Sequence, residues 1–394
     1  MRTKDKLTIS LLSVLIGLIV GIIDTLFGKI LLMLTDFRQE HFMTLILFLA
    51  PVGMLFMYVF LKYGKNSSQG MGLIFRAGQM GEETIPKRLI PFVIVGTWLT
   101  HLFGGSAGRE GVAVQLGATV AHWMGRISKQ FNTGQLIVIG MAAGFAGLFQ
   151  TPLAATFFAL EVLVVSRLRY DVLLPALIAA FTASTVSARL GLEKFQFLLD
   201  TSMSLDTTIA WKIVALGIIF GLVGRLFAES LSWFKKQAQR IANPIYRIGM
   251  IGLVLSILLI LFFQGRYSGL GTNLISSSFA GGSIEIYDWL LKLLLTVITI
   301  SAGYQGGEVT PLFAIGASLG MVLASLFGLP VAFVAALGYV SVFGSATNTL
   351  LAPMLIGGEV FGFTYFPYFL IVCVIAFLCN GNRTIYGEQK LTIE

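Results

Sequence analysis

An all-α, polytopic integral membrane fold built from two internally repeated halves is predicted by three features of this sequence. Its 394 residues are 56% hydrophobic and only 12% charged, with a mean hydropathy of +0.86. A soluble domain carries roughly twice that share of charge. Apolar stretches near bilayer length recur from end to end, and a register of about 199 residues, from landmark differences such as 307 − 108, relates the first half to the second.

The long apolar stretches are 7–33, 43–62, 89–103, 209–230, 246–263 and 287–302. A spanning helix needs about 20 predominantly apolar residues. Segments 136–149, 311–327 and 349–358 are shorter, rich in Gly, Ala and Ser, and cannot all cross cleanly. They read as broken or re-entrant helices packed within protein. Met1-Arg2-Thr3-Lys4-Asp5-Lys6 looks like a signal-peptide start. The apolar run behind it is too long and lacks a small-residue cleavage site, so it reads as a retained first helix. Its basic charge favours a cytoplasmic N-terminus. The net charge of +8 is spread over short loops such as Lys87-Arg88, Arg167-Leu168-Arg169 and Lys235-Lys236. That is an orientation signal for a lipid bilayer and not a nucleic-acid surface. Cys373 and Cys379, six apart in apolar sequence, suggest neither a disulfide nor a metal site. His41, His101 and His122 make no ligand pattern, so no cofactor is expected.

The repeat is visible in matched landmarks. Gly70-Met71-Gly72 corresponds to Gly269-Leu270-Gly271 (269 − 70 = 199), and Gly108 to Gly307 (307 − 108 = 199). Gly21 with Leu26-Phe27 matches Gly221 with Leu226-Phe227, and Glu161-Val162 matches Glu359-Val360. A register held this closely over several landmarks divides the chain into residues 1–199 and 200–394, joined near 195–208, where Asp200 through Thr208 is polar. Transporters of this construction place their substrate at the repeat interface, with broken helices aiming their N-termini at anions.

Three glycine-punctuated segments occupy related places in the halves: Ser67 to Leu73, Gly104 to Val112, and Gly306 to Pro311. Glycine admits close backbone approach, and a helix N-terminus carries partial positive charge. Together they make an anion site from which the ion can still leave. The plainer alternative is that they are interhelical turns. Glu110 is a carboxylate between Arg109 and Gly111 amid apolar sequence. Such a group suggests function by default; it competes with an anion when charged and vacates the site when protonated. A structural pair with Arg109 is the alternative. Glu308 stands before a helix opening at Thr310-Pro311, where it serves either as a cap or as an ion or coupling site. Met71 reads either as soft packing or as part of the path.

These residues resemble the CLC family of chloride channels and proton-coupled anion antiporters. Gly108-Arg109-Glu110-Gly111 is similar to the family's G-[KR]-E-G-P, Gly70 to Ile74 to its G-S-G-I-P, and Gly307 to Pro311 to its G-x-F-x-P. Three departures are similar to the fluoride/proton branch. Met71 stands where chloride transporters coordinate the anion with a serine, Val309 replaces a phenylalanine, and Val162 falls on the internal proton-relay glutamate, beside Glu161. Val112 also replaces the proline after the gate motif. The resemblance implies bacterial fluoride export across the cell membrane driven by protons, in a homodimer with one path per subunit. It also implies a chain without the soluble C-terminal regulatory domains of many relatives. Residue by residue it implies Glu110 as gate and proton-coupling group, and Gly70, Met71, Gly72, Gly108, Arg109, Gly111, Val309, Thr310 and Tyr386 along the anion path. Glu308 matches an acidic residue of the branch. Phe75 and Phe313 are weaker candidates for aromatic lining through their electropositive ring edges. The rival within the family is a chloride channel or chloride/proton antiporter. A membrane-embedded enzyme would need a convergent catalytic cluster, against which the scattered histidines argue.

Overall fold

The computed structural model describes residues 3–80, 83–128, 131–165, 167–200 and 204–391. Met1, Arg2 and the centre of the polar linker, 201–203, lie outside the described residues. The helices are α1 (Thr3–Leu45), α2 (Leu49–Tyr63), α3 (Gly70–Met80), α4 (Leu89–Leu102), α5 (Glu110–Ser128), α6 (Thr133–Phe149), α7 (Pro152–Glu161) and α8 (Leu173–Arg189). After the linker come α9 (Thr207–Ala238), α10 (Pro244–Leu261), α11 (Thr272–Ala280), α12 (Asp288–Ala302), α13 (Val309–Phe327), α14 (Val331–Thr347), α15 (Leu351–Phe361) and α16 (Phe366–Asn380).

The chain is inside-out relative to a soluble protein. Leu7, Leu11, Leu15, Leu18, Ile22 and Leu26 expose one apolar stripe of α1, and Met250, Leu253, Val254, Ile257 and Leu261 do so on α10. By contrast, α6 is buried from Leu136 to Phe149 and α14 from Phe333 to Thr347. Among the described residues, six segments are long and apolar enough to cross a membrane. Among the three segments expected not all to cross, α13 reaches 19 residues, whereas α6 has 17 and α15 only 11. The 89–103 and 287–302 stretches are shorter helices than their apolar length suggests, α4 with 14 residues and α12 with 15. A left-handed glycine follows each: Gly104 at φ 91° and Gly303 at φ 110°. These turn the chain back to begin α5 and α13, so two helices start inside the protein rather than at its surface.

Backbone-to-backbone contact fixes those two helices. On α5, a Cβ at Gly117 would lie 2.0 Å from the Gly140 carbonyl of α6. On α13, a Cβ at Gly316 would lie 2.1 Å from the Gly338 carbonyl of α14. Small residues permit this approach in a membrane, where the hydrophobic effect gives little drive between helices. Two further links are reciprocal. Glu161, at the end of α7, accepts N–H groups of Leu350 and Leu351 (both 3.1 Å) and Ala352 (2.8 Å) at the start of α15. Glu359 of α15 accepts from Leu153 (3.1 Å) and Ala154 (2.9 Å) at the start of α7. Each carboxylate satisfies helix N-terminal donors that would otherwise be orphaned in a buried place.

Gly117→Leu should destabilise the protein by about 3 kcal/mol or more, because the backbone it meets cannot move aside. Thermal unfolding in detergent, followed by tryptophan fluorescence, checks this. An unchanged midpoint would mean that α5 and α6 are not in backbone contact.

Candidate functional site

The second and third glycine motifs meet. Gly108 donates its N–H to the Gly307 carbonyl at 2.5 Å, and Gly307 donates back to Gly108 at 2.8 Å, an isolated antiparallel bridge. A Cβ on Gly108 would lie 3.0 Å from the Gly307 carbonyl oxygen and 2.8 Å from Pro311 Cδ, so the approach requires a residue without one. Both α5 and α13 begin two residues beyond the bridge, at Glu110 and Val309. Two helix N-termini therefore converge on one point.

Glu110 is 1% exposed and spans that point. Its Oε2 accepts the Thr310 backbone N–H at 3.2 Å and a short hydrogen bond from the Thr310 hydroxyl, and it takes the Arg109 N–H at 3.3 Å. The carboxylate thus occupies the N-terminus of α13, a place suited to a small anion. The 199-residue register sets Glu110 opposite Val309 (309 − 110); its hydrogen bonds instead reach one residue further, to Thr310. The pairing with Arg109 is loose, Nε lying 3.8 Å from Oε1. Arg109 Nε and Nη1 are buried with no hydrogen-bond partner, which leaves two donors beside Glu110 unused.

A cavity of about 550 Å³ approaches the same point. It is lined by Gly70, Met71, Gly72 and Phe75 of α3, by Gly111 and Gln115 of α5, by Glu308, and by Tyr386 and Glu388 of the C-terminal segment. Lys235 and Gln239 at the end of α9 stand at it too. The lining reaches Gly111 and Glu308, the immediate neighbours of Glu110 and Val309. Val309 and Thr310 are buried behind it. Glu308 makes no side-chain cap on α13. Its carboxylate belongs to the cavity, which sets aside the capping alternative. Tyr386 is brought here by a strap that runs back under the protein: Ile385 donates to the Ala346 carbonyl at 2.9 Å, and Lys390 to Leu163 at 3.2 Å. The Tyr386 hydroxyl is buried with no protein partner, as is Gln115 Oε1. These are polar groups with capacity for a guest.

The two phenylalanines separate. Phe75 lines the cavity with its ring 5.0 Å from that of Tyr386. Phe313 lies in a stack instead, 4.1 Å from Tyr339 at an interplanar angle of 4° and 5.2 Å from Phe149. Gln115 and Tyr339 went unnoticed in the sequence, and Lys235, read there as short-loop charge, lies instead in the last turn of α9. Gln115 had a signal, since it follows Gly111 by one helical turn on the same face; Tyr339 had none. Val162 is fully buried at the end of α7, and Gln389 donates to its carbonyl at 2.9 Å.

Fold and site together define a class: a multi-span helical membrane protein in which two buried helix N-termini converge on one carboxylate. The chain belongs to the CLC family, because the family profile described as voltage gated chloride channel matches residues 52–381. A solved structure described as a CLC-type fluoride/proton antiporter is 59% identical, with a TM-score of 0.98 and complete coverage of both chains. The chloride/fluoride channel protein of Pseudomonas syringae pv. tomato is 34% identical over 388 residues, covering 96% of this chain and 85% of that one. A slow cyanobacterial Cl⁻/H⁺ antiporter shares the fold at 20% identity, with a TM-score of 0.84 and 96% coverage of both chains.

Thr310→Val removes the hydroxyl that grips Glu110 and leaves the backbone N–H. A hydrogen bond to a charged group contributes about 1.5–3 kcal/mol, so the population of Glu110 turned away from α13 should rise about tenfold or more. A high-resolution map of the variant reads this directly. A single Glu110 conformer still seated on residue 310 would assign the grip to the backbone alone.

Proposed function

We propose that this protein is a proton-coupled fluoride antiporter of the bacterial cell membrane, exporting fluoride from the cytoplasm with Glu110 as the protonatable gate. The observation that carries this reading is the full-length likeness to a CLC-type fluoride/proton antiporter. It is supported by Glu110 seated on the α13 N-terminus beside an approaching cavity. Ionised, Glu110 is itself the anion on Thr310 and closes the path. Protonated, it no longer competes for those donors and can leave them. Fluoride arriving past Met71 and Tyr386 then takes the vacated N–H and hydroxyl, and the return of the carboxylate expels fluoride and releases the proton. Fluoride and the ionised carboxylate thus compete for one set of donors, and protonation decides which of them holds it; that is what couples the two ions.

The reading extends to the other implied features. Residues 1–199 and 200–394 are read as two structural repeats; the matched starts of α5 and α13 (309 − 110 = 199) and of α7 and α15 (351 − 152 = 199) support this. The protein is read as a transporter and not an enzyme, with a cytoplasmic N-terminus and a homodimer carrying one path per subunit. Fluoride holds its hydration shell tightly, so its site must offer donors. Thr310 and Tyr386 offer them, whereas Met71 does not. Met71 is read as excluding the larger, more weakly hydrated chloride. Glu308, facing the cavity, is read as the cytoplasmic proton acceptor in place of the apolar Val162.

The rival is a chloride channel or chloride/proton antiporter of the same family. Proteoliposomes loaded with each anion separate the readings: fluoride release should exceed chloride release by at least about tenfold and be accompanied by proton uptake. Equal chloride release would overturn the fluoride assignment, and fluoride release without proton movement would overturn the antiport. Glu110→Gln should abolish proton coupling, and unchanged coupled exchange in that variant would remove Glu110 from the role.

Glu308→Gln should slow proton uptake more than it alters fluoride binding. Isothermal titration of fluoride beside proton flux in vesicles measures both. Wild-type proton flux in Glu308→Gln would exclude it from the proton route.

A further inference from the structure

Lys292 of α12 is fully buried, an unusual place for an ammonium group. Its three donors are all used: the Ser106 hydroxyl at 2.9 Å, the Tyr267 carbonyl at 3.0 Å and the Gly269 carbonyl at 2.7 Å. Among the described residues no carboxylate forms an ion pair with it. Asp288, one turn earlier, is engaged by Arg266 and by the Tyr267 hydroxyl. The nearby charged or titratable groups are Arg38, which donates to the His101 carbonyl at 2.9 Å, and His101 itself. Burying an unpaired charge is costly, and an apolar residue of similar volume often packs there at no loss. The charge must therefore be explained by what it holds.

What it holds is the segment that leads to Glu110. Ser106 lies four residues before the gate. The Lys292, Thr296 and Thr299 face of α12 grips it at successive turns: Ser106 Oγ is 2.9 Å from Thr296 Oγ1, and the Ser106 N–H donates to Thr299 Oγ1 at 3.2 Å. The same segment is tied to the Gly269 loop, since Gly269 donates to the Gly105 carbonyl at 2.9 Å and Ala107 donates to the Gly269 carbonyl at 3.2 Å. Lys292 closes this arrangement by binding the Gly269 carbonyl and Ser106 together. Gly271, at φ 87°, leaves room for it, because a Cβ there would come within 2.7 Å of Lys292 Cε.

We propose that Lys292 is a positioning residue for the gate, an ammonium clamp that joins the Gly104–Ala107 segment of the first half to the Tyr267–Gly269 loop of the second. It holds the Glu110 carboxylate in register with Thr310. The clamp acts through Glu110 and touches neither transported ion. This inference rests on the reading of Glu110 as the proton-coupling gate.

The test is the number of protons moved per fluoride in proteoliposomes, for wild type, Lys292→Met, Lys292→Arg and Glu110→Gln. Lys292→Met keeps the length and loses the donors; it should lower the proton-to-fluoride ratio by at least about twofold. Lys292→Arg, which keeps the donors, should recover part of that ratio. A wild-type ratio in Lys292→Met, or no recovery in Lys292→Arg, overturns the clamp. Should Lys292→Met fail to fold, Ser106→Ala removes the grip from the other side and should lower the ratio likewise; full coupling in Ser106→Ala also overturns the proposal. Retained coupling in Glu110→Gln would instead overturn the gate reading on which the clamp rests.

Discussion

The mutual hydrogen bonding of Gly108 and Gly307 is the constraint on which the rest of the site depends. A Cβ on Gly108 would meet Pro311 Cδ at 2.8 Å and one on Gly307 would meet the Gly111 nitrogen at 3.0 Å, so this approach needs two residues without side chains. Once it is made, the helices that begin two residues later must present their N-terminal N–H groups to a common space. A carboxylate at the first position of one helix then lies within reach of the N–H and hydroxyl of the second residue on the other. Glu110 and Thr310 meet for this reason, and no flexible loop has to bring them together.

Among the described residues, three carboxylates reach across to the N-terminus of another helix: Glu110 to α13, Glu161 to α15 and Glu359 to α7. The local chemistry is the same in each, a negative group satisfying orphaned N–H donors. Their surroundings differ. Glu161 and Glu359 reciprocally lock two short helices. The chain neighbour of Glu110, Gly111, lines a cavity of about 550 Å³ that carries an unpartnered tyrosine hydroxyl and a second carboxylate, Glu308. A capping carboxylate close to a cavity can be replaced by another anion, whereas one sealed in packed protein cannot. Under the proposed exchange, that difference in access separates a gate from a staple.

Rigid packing behind the site complements this. Helices α5 and α13 are pressed against α6 and α14 with glycines at the contact, so their termini do not drift. The Gly104–Ala107 segment is fastened on its far side by α12 through Ser106. Under the proposed exchange the moving part is thereby reduced to one side chain on a fixed frame, which suits a carboxylate and an anion competing for one set of donors.

The sequence by itself determined the membrane-embedded helical class, because sustained hydropathy with few charges leaves no alternative solvent for these helices. It determined the two matched glycine motifs and Glu110 as the charge out of place, since both are visible in spacing and chemistry. Family motifs pointed to Met71, Thr310, Glu308 and Tyr386, and four of the five residues that include Phe75 line or border one cavity. Only the tertiary structure decided that Glu110 bonds Thr310 rather than Val309, that Glu308 faces the cavity rather than capping α13, and that Phe313 stacks on Tyr339. It alone revealed Gln115 and the buried Lys292, and it alone placed Lys235 at the cavity. Periodicity and composition describe one element at a time. Which carboxylate reaches which N–H depends on a contact between residues about 200 positions apart, and the linear sequence does not encode that distance in any local pattern.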